Sequence, residues 1–204
     1  MVLRSARTLI RAWQRHDDDL VAEWPPYFDP LEPLWNLPRQ SSGDWYSGFD
    51  FGSMRRTWAV EDLSGHLMGR ISLREVDEKV GRARLGITFG APYVGKGFGT
   101  EALATFLDYY FSQLGFTTMV LDVAAPNERA VRSYEHLGFE HIDTDWRATT
   151  SIFDRRILQN LRYATLRRFF REENNRLMVL FYEMELTRQA WQAQRRQYSR
   201  RNGG

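Results

Sequence analysis

The densest chemistry in the chain lies in Gly90-Ala91-Pro92-Tyr93-Val94-Gly95-Lys96-Gly97-Phe98-Gly99-Thr100-Glu101-Ala102-Leu103. Gly95, Gly97 and Gly99 alternate between a β-like run, Arg82–Phe89, and a run of helical periodicity, Glu101–Leu114. A strand that turns into a helix through glycines leaves several backbone N–H groups unpaired and pointing one way, with the positive end of the helix dipole behind them. Such a turn binds an anion, most often a phosphate. Two common phosphate loops fit it poorly. Gly90-x4-Gly95-Lys96 has the spacing of a nucleoside-triphosphate loop, but Gly97 stands where Ser or Thr must hold Mg²⁺. Gly95-x-Gly97 opens a dinucleotide fingerprint, but Thr100 takes the third glycine position and the preceding strands form a meander. The four histidines, His16, His66, His136 and His141, lack ligand spacing, and there is no cysteine, so the expectation is no metal site, no disulfide and no cysteine nucleophile.

The elements that must position this turn follow from periodicity. Arg7–Trp13 alternates as a strand, and Asp17–Trp24 is a short helix with Asp17-Asp18-Asp19 as cap and acidic first turn, stopped by Pro25-Pro26. Residues 27–51 are rich in Pro, Gly, Ser and aromatics, among them Trp35, Trp45, Tyr46 and Phe49, and read as irregular structure whose rings serve as core or as cleft wall. Arg56–Glu61, His66–Val76 and Arg82–Phe89 read as an antiparallel meander. After the helix come a buried strand, Thr117–Ala124, a short helix, Glu128–Leu137, and strands over Phe139–Asp143 and Arg176–Leu186. The arginine-rich stretch Thr149–Asn175 reads as a helical insert, and Thr187–Arg201 as a polar helical tail. The fold class is α/β, a mixed and mostly antiparallel sheet flanked by helices. The domain spans residues 3–188, with the insert at 149–175 and the tail at 189–204.

The chain has 204 residues, with 43% hydrophobic and 26% charged, ordinary for a soluble domain. No apolar run approaches the ~18 residues of a membrane span, and the first residues lack the apolar centre of a signal peptide, so the expected location is cytoplasmic. The pI of about 9.0 comes from arginine, since Lys79 and Lys96 are the only lysines; the net charge is only +2. That balance argues against nucleic acid as a partner, and the late arginine pairs read as solvated helix faces.

The glycine turn resembles motif A of the GNAT superfamily, the Gcn5-related N-acetyltransferases, in which a strand, a Q/R-x-x-G-x-G/A turn and a helix bind the pyrophosphate of acetyl-CoA. Val94 stands at the Q/R position, a departure, with Gly97 and Gly99 as the glycines. Asn127-Glu128-Arg129-Ala130-Val131-Arg132-Ser133-Tyr134-Glu135-His136-Leu137-Gly138-Phe139 is similar to the family's motif B, N-x2-A-x3-Y-x2-L-G-F. Both motifs occur in order on the expected elements, and the resemblance is specific from Ala83 to Glu140.

The resemblance implies an acetyl-CoA-dependent N-acetyltransferase that acts by direct attack of a primary amine in a ternary complex. Ile87, Thr88 and Phe89 would pair with the pantetheine arm as an extra strand does, and Val94, Gly95, Lys96, Gly97, Phe98, Gly99 and Thr100 would cradle the pyrophosphate. Asn127 would hydrogen-bond the pantetheine. Tyr134, a phenol of pKa about 10, is the candidate general acid for the departing thiolate. For the base, Asp122 sits where some members carry a catalytic glutamate, on the opposite strand face from Leu121 and Val123. Glu75 is its rival, and a water chain is a third route. The acceptor is a small-molecule or peptide amine. The insert reads equally as a lid, a homodimer contact or plain elaboration. The other function class is a non-catalytic acyl-CoA sensor whose arginine-rich segments bind a partner.

Overall fold

The computed structural model describes residues 1–38 and 56–202. Trp45, Tyr46 and Phe49 lie outside them. The strands are β1 (Val2–Arg4), β2 (Thr8–Ala12), β3 (Arg56–Asp62), β4 (Leu67–Asp77), β5 (Arg82–Phe89), β6 (Thr118–Ala124), β7 (Glu140–Ala148), β8 (Phe170–Glu173) and β9 (Arg176–Thr187). The α-helices are α1 (Asp17–Ala22), α2 (Phe98–Ser112), α3 (Glu128–His136) and α4 (Arg188–Asn202). One sheet runs β1-β2-β3-β4-β5-β6-β9-β7, with β8 also paired to β9. Every pairing is antiparallel except β5 with β6. The mixed, mostly antiparallel sheet expected from the sequence is the observed one, with β1 and β8 added.

The β5–β6 pairing covers three positions only, Arg82↔Thr118, Ala83↔Met119 and Arg84↔Val120. Beyond Arg84 the two strands part, and among the described residues no strand pairs with the β6-facing edge of β5 over residues 85–89. This opening positions the site.

Two cores lie on the two sheet faces. On one, Leu103, Phe106, Leu107 and Tyr110 of α2 pack on Ile10, Trp58, Ile71, Leu85 and Met119. Their spacing is the 3.6-residue stripe of an amphipathic helix. On the other, Leu31, Leu34 and Leu37 meet Phe153, Leu166 and Phe169, with Val179 and Phe181 of β9 beneath.

Three local expectations are corrected. The helix after the glycine turn starts at Phe98, because Gly97 caps it in a left-handed conformation (φ 82°) that glycine adopts without strain. Asp17 is not a helix cap. Its buried carboxylate accepts both terminal nitrogens of Arg11 at 2.7 Å and the Gln14 N–H at 2.7 Å, since an ion pair binds a buried carboxylate more strongly than a cap does. The 149–175 stretch is not α-helical. It forms two 3-10 helices, Arg155–Gln159 and Leu161–Phe169, then β8. Tyr163, Leu166 and Phe169 turn inward at three-residue spacing, the 3-10 period, and the Asn160 side chain caps the second turn through the Arg162 N–H.

Candidate active site

A cavity of about 430 Å³ occupies the opening between β5 and β6. Its floor is Leu85, Gly86, Ile87, Thr88 and Phe89 from β5, facing Asp122 and Val123 from β6. One end is the glycine turn, with Val94, Gly95, Gly97, Gly99 and Thr100 in the wall. The opposite side is closed by Asn127, Ala130, Ser133 and Tyr134 of the α3 region. Tyr27, Glu32, Trp35 and Asn36 of the irregular N-terminal segment, with Arg74 and Arg129, complete it.

The turn offers its main chain. The N–H groups of Gly95 through Thr100 donate to no atom among the described residues. Gly95 and Gly97 have φ of 77° and 82°, and a Cβ on Gly99 would lie 3.5 Å from the Phe89 ring. Glycine therefore serves conformation at Gly95 and Gly97, whereas a Cβ at Gly99 would make only ordinary contact with Phe89. Lys96 and Phe98 are not in the cavity wall. The Phe98 ring lies beside Tyr93, with centroids 6.4 Å apart.

Asn127 caps α3. Its side-chain oxygen accepts the Ala130 N–H at 3.3 Å, which leaves its NH₂ group toward the cavity without a partner among the described residues. Tyr134 lies two turns along the same helix. Its ring packs on Phe139 (5.8 Å), and burial pushes its phenol pKa up to about 12. It therefore keeps its proton throughout the neutral range and can donate.

The two carboxylates read as base candidates fare differently from each other. Asp122 is in the cavity wall, but its Oδ1 is held by Arg84 Nη1 at 2.9 Å and Arg147 Nη2 at 3.3 Å. Two guanidiniums thus take up the oxygen that a base would use. Glu75 does not reach the cavity. A β-bulge between Arg74 and Asp77 breaks the strand alternation there, Glu75 has a positive φ of 47°, and its exposed carboxylate pairs with Arg84 Nε at 2.8 Å.

Arg84 sits where the strands part. Besides Glu75 and Asp122, it donates to Glu183 Oε1 at 2.8 Å. Asp122 and Glu183 are direct cross-strand neighbours on β6 and β9, and like charges so placed repel. The Arg84 fork spans them. Burial opposes its charge, but its hydrogen bonds to Glu75 and Glu183 and the Asp122 charge hold its pKa above the ordinary arginine value. Arg147 reinforces it, bonding the Leu37 carbonyl at 2.7 Å and Asp145 at 3.0 Å and stacking 4.0 Å from the Phe181 ring. The sequence carried no signal for this network, because its members lie on five strands with no shared spacing.

Sequence reasoning also missed Tyr27 and Glu32. Tyr27 hydrogen-bonds the Phe89 carbonyl through its hydroxyl and meets Trp35 edge to face at 5.1 Å. Trp24 bonds the Leu67 carbonyl at 3.2 Å, so this segment is laced to the ends of β4 and β5. Glu32 has no ion-pair partner among the described residues, which sets it apart from Asp122. None of residues 149–175 lines the cavity. The insert packs behind Leu31, Leu34 and Leu37 instead.

A strand edge that leads into a row of N–H donors suits an extended ligand with an anionic tail. Comparison with known proteins gives the chain a family. Residues 7–140 match the acetyltransferase (GNAT) domain, and the chain belongs to the GNAT acetyltransferase family. It is 32% identical over 125 residues to a spermidine N(1)-acetyltransferase of Vibrio cholerae, covering 59% of this chain and 66% of that protein. An uncharacterized N-acetyltransferase, p20, of Bacillus licheniformis is 26% identical over 89 residues, 44% of this chain and 50% of the relative. The matches thus span between half and two thirds of these relatives' lengths. Among solved structures, the V. cholerae spermidine N-acetyltransferase in complex with CoA and spermine superposes with a TM-score of 0.59 at 21% identity, covering 92% of this chain and 99% of that one. At that identity the superposition speaks to the fold. Among the described residues no helix is long and apolar enough to cross a membrane, and no cluster of three His, Asp or Glu is placed to hold a metal ion.

Proposed function

We propose that the protein transfers an acetyl group from acetyl-CoA to a primary amine within a ternary complex. The observation that carries this reading is the parting of β5 and β6 beyond Arg84, with the unpaired edge of 85–89 running into the unpaired N–H groups of Gly95–Thr100. The edge pairs with the amides of the pantetheine arm, and the turn holds the pyrophosphate. The Asn127 NH₂ bonds the arm from the facing wall.

The neutral amine nitrogen attacks the thioester carbonyl carbon. A C–N bond forms, the C–S bond breaks, and the electron pair leaves on the CoA sulfur. Tyr134 donates a hydrogen bond to that sulfur. With its pKa at about 12, transfer of its proton to a thiolate of ordinary pKa near ~8.5 is uphill, so Tyr134 stabilises the leaving group and the proton the sulfur keeps comes from the amine. With no cysteine in the chain, an acyl-cysteine intermediate has no carrier.

Asp122 is assigned to the Arg84–Arg147 network rather than to proton abstraction, Glu75 stands outside the cavity, and water relays the amine proton. Glu32, with the Tyr27–Trp35 pair, receives the cationic acceptor. The wall balances Glu32 and Asp122 against Arg74 and Arg129, so it is not strongly acidic. The domain reading is one acetyltransferase domain over 3–188, in which the insert at 149–175 braces the acceptor wall, followed by the tail at 189–204. The deciding experiment is thiol release from acetyl-CoA with a panel of spermidine, spermine, monoamines and peptides. Saturable turnover with a primary amine is expected. CoA binding without turnover of any amine would leave a sensor in place of an enzyme.

A further inference from the structure

The glycine turn departs from its family pattern at Val94, whose side chain packs against the main core and offers no charge to a phosphate. A guanidinium reaches the same turn from elsewhere. Arg7 lies in the connection between β1 and β2. Its Nη1 donates to the Lys96 carbonyl at 3.2 Å, and its Cζ stands 4.7 Å over the Phe98 ring. Its Nε and backbone N–H hold the two oxygens of Glu101 at 2.6 and 2.7 Å, and Ser5 Oγ adds a third bond at 2.7 Å. That leaves Nη2, which makes no hydrogen bond among the described residues. It lies 3.3 Å from where a Cβ on Gly97 would stand.

Glu101 explains why a cation is needed here. It sits in the first turn of α2, beside the N–H groups that face the cavity. Burial opposes its ionisation, but the bonds from Ser5 and Arg7 hold its pKa below the ordinary carboxylate value. A fixed anion at that point repels any phosphate unless it is cancelled.

We propose that Arg7 is the side-chain phosphate ligand of the cosubstrate site: it cancels the Glu101 charge and presents Nη2 over Gly97 to the pyrophosphate, the role that Val94 cannot fill. This rests on the acetyl-CoA reading above. The Arg7 side chain is half-exposed, so its effect on folding is small and its effect on phosphate binding is the one to measure.

The test is calorimetric titration with CoA and initial rates with acetyl-CoA and S-acetylpantetheine, which lacks the phosphates, for wild type, Arg7→Ala, Arg7→Lys and Arg7→Gln/Glu101→Gln. Arg7→Ala is expected to weaken CoA binding about tenfold or more, as loss of a charge-assisted hydrogen bond does, with the loss falling on KM for acetyl-CoA rather than on kcat. The gap from wild type narrows at high salt and is absent with S-acetylpantetheine. Arg7→Lys, which keeps the charge without the fork, falls between the two, as does the double variant, which removes Glu101 along with its partner. Unchanged CoA affinity in Arg7→Ala, or an equal loss with S-acetylpantetheine, would overturn the proposal. If Arg7→Ala does not fold, the double variant decides: wild-type affinity for CoA in it overturns the proposal as well. Failure of the wild type to bind CoA would instead sink the acetyl-CoA reading.

Discussion

At the proposed cosubstrate end of the cavity most of the groups offered to a ligand belong to the main chain, the edge of residues 85–89 and the N–H row of Gly95–Thr100, with Asn127 and Arg7 as side chains beside them. At the proposed acceptor end they are side chains, Tyr27, Glu32, Trp35 and Arg129, carried by an irregular segment and a helix surface. A cosubstrate with fixed chemistry can be gripped largely by backbone, whose geometry glycines help to secure. An acceptor must be told from other amines, and only side chains differ enough to do that. The Arg84 network stands between the two ends and belongs to both.

Breaking that network should give the largest effect. Arg84→Ala leaves Asp122 and Glu183 facing each other across β6 and β9 and is expected to cost about 3–5 kcal/mol in urea unfolding. A loss under about 1 kcal/mol would show that Arg147 alone keeps the cleft together. Tyr134→Phe acts on chemistry rather than on either binding end. It should lower kcat about 10²-fold while KM for acetyl-CoA stays within about twofold. Because burial raises the Tyr134 pKa to about 12, its protonated form persists well above pH 10, and the wild-type rate should show no falling limb between pH 7 and about 10. An ordinary phenol would begin to lose its proton near the top of that range. A falling limb below pH 9 would contradict the assignment.

The two ends are then separable. Gly97→Ala strains a left-handed position by about 1–2 kcal/mol and crowds Arg7 Nη2, so KM for acetyl-CoA should rise about tenfold and KM for the amine should not move. Glu32→Gln should do the reverse, raising KM for the amine about two- to fivefold with acetyl-CoA untouched, the size of a partly exposed charge pair. If either variant moved both constants equally, the division of labour between backbone and side chains would fall.

What could be read from the linear chain follows the same division. The strand at Arg82–Phe89 was legible to the residue, and α2, β6 and α3 to within a few, because glycines, caps and apolar periodicity are local signals. Gly95–Thr100 and Asn127–Phe139 were legible as a glycine turn and a capped helix for the same reason, since backbone conformation is written in neighbouring residues. Asp122 was placed correctly in the wall, yet its partners Arg84 and Arg147 come from other strands, so its state was not legible. Glu75 looked equivalent until the bulge turned it away. The arginine-rich stretch 149–175 read only as helical, and its 3-10 turns are decided by packing against Leu31, Leu34 and Leu37.

By itself, then, the sequence determined the sheet class, the glycine turn and the family, all properties of short stretches. Tertiary structure alone decided where β5 and β6 part, which carboxylates are neutralised, and that Arg7 reaches Gly97 from the far end of the chain. Each of these depends on side chains distant in sequence meeting in space, and on electrostatics that exist only once they have met.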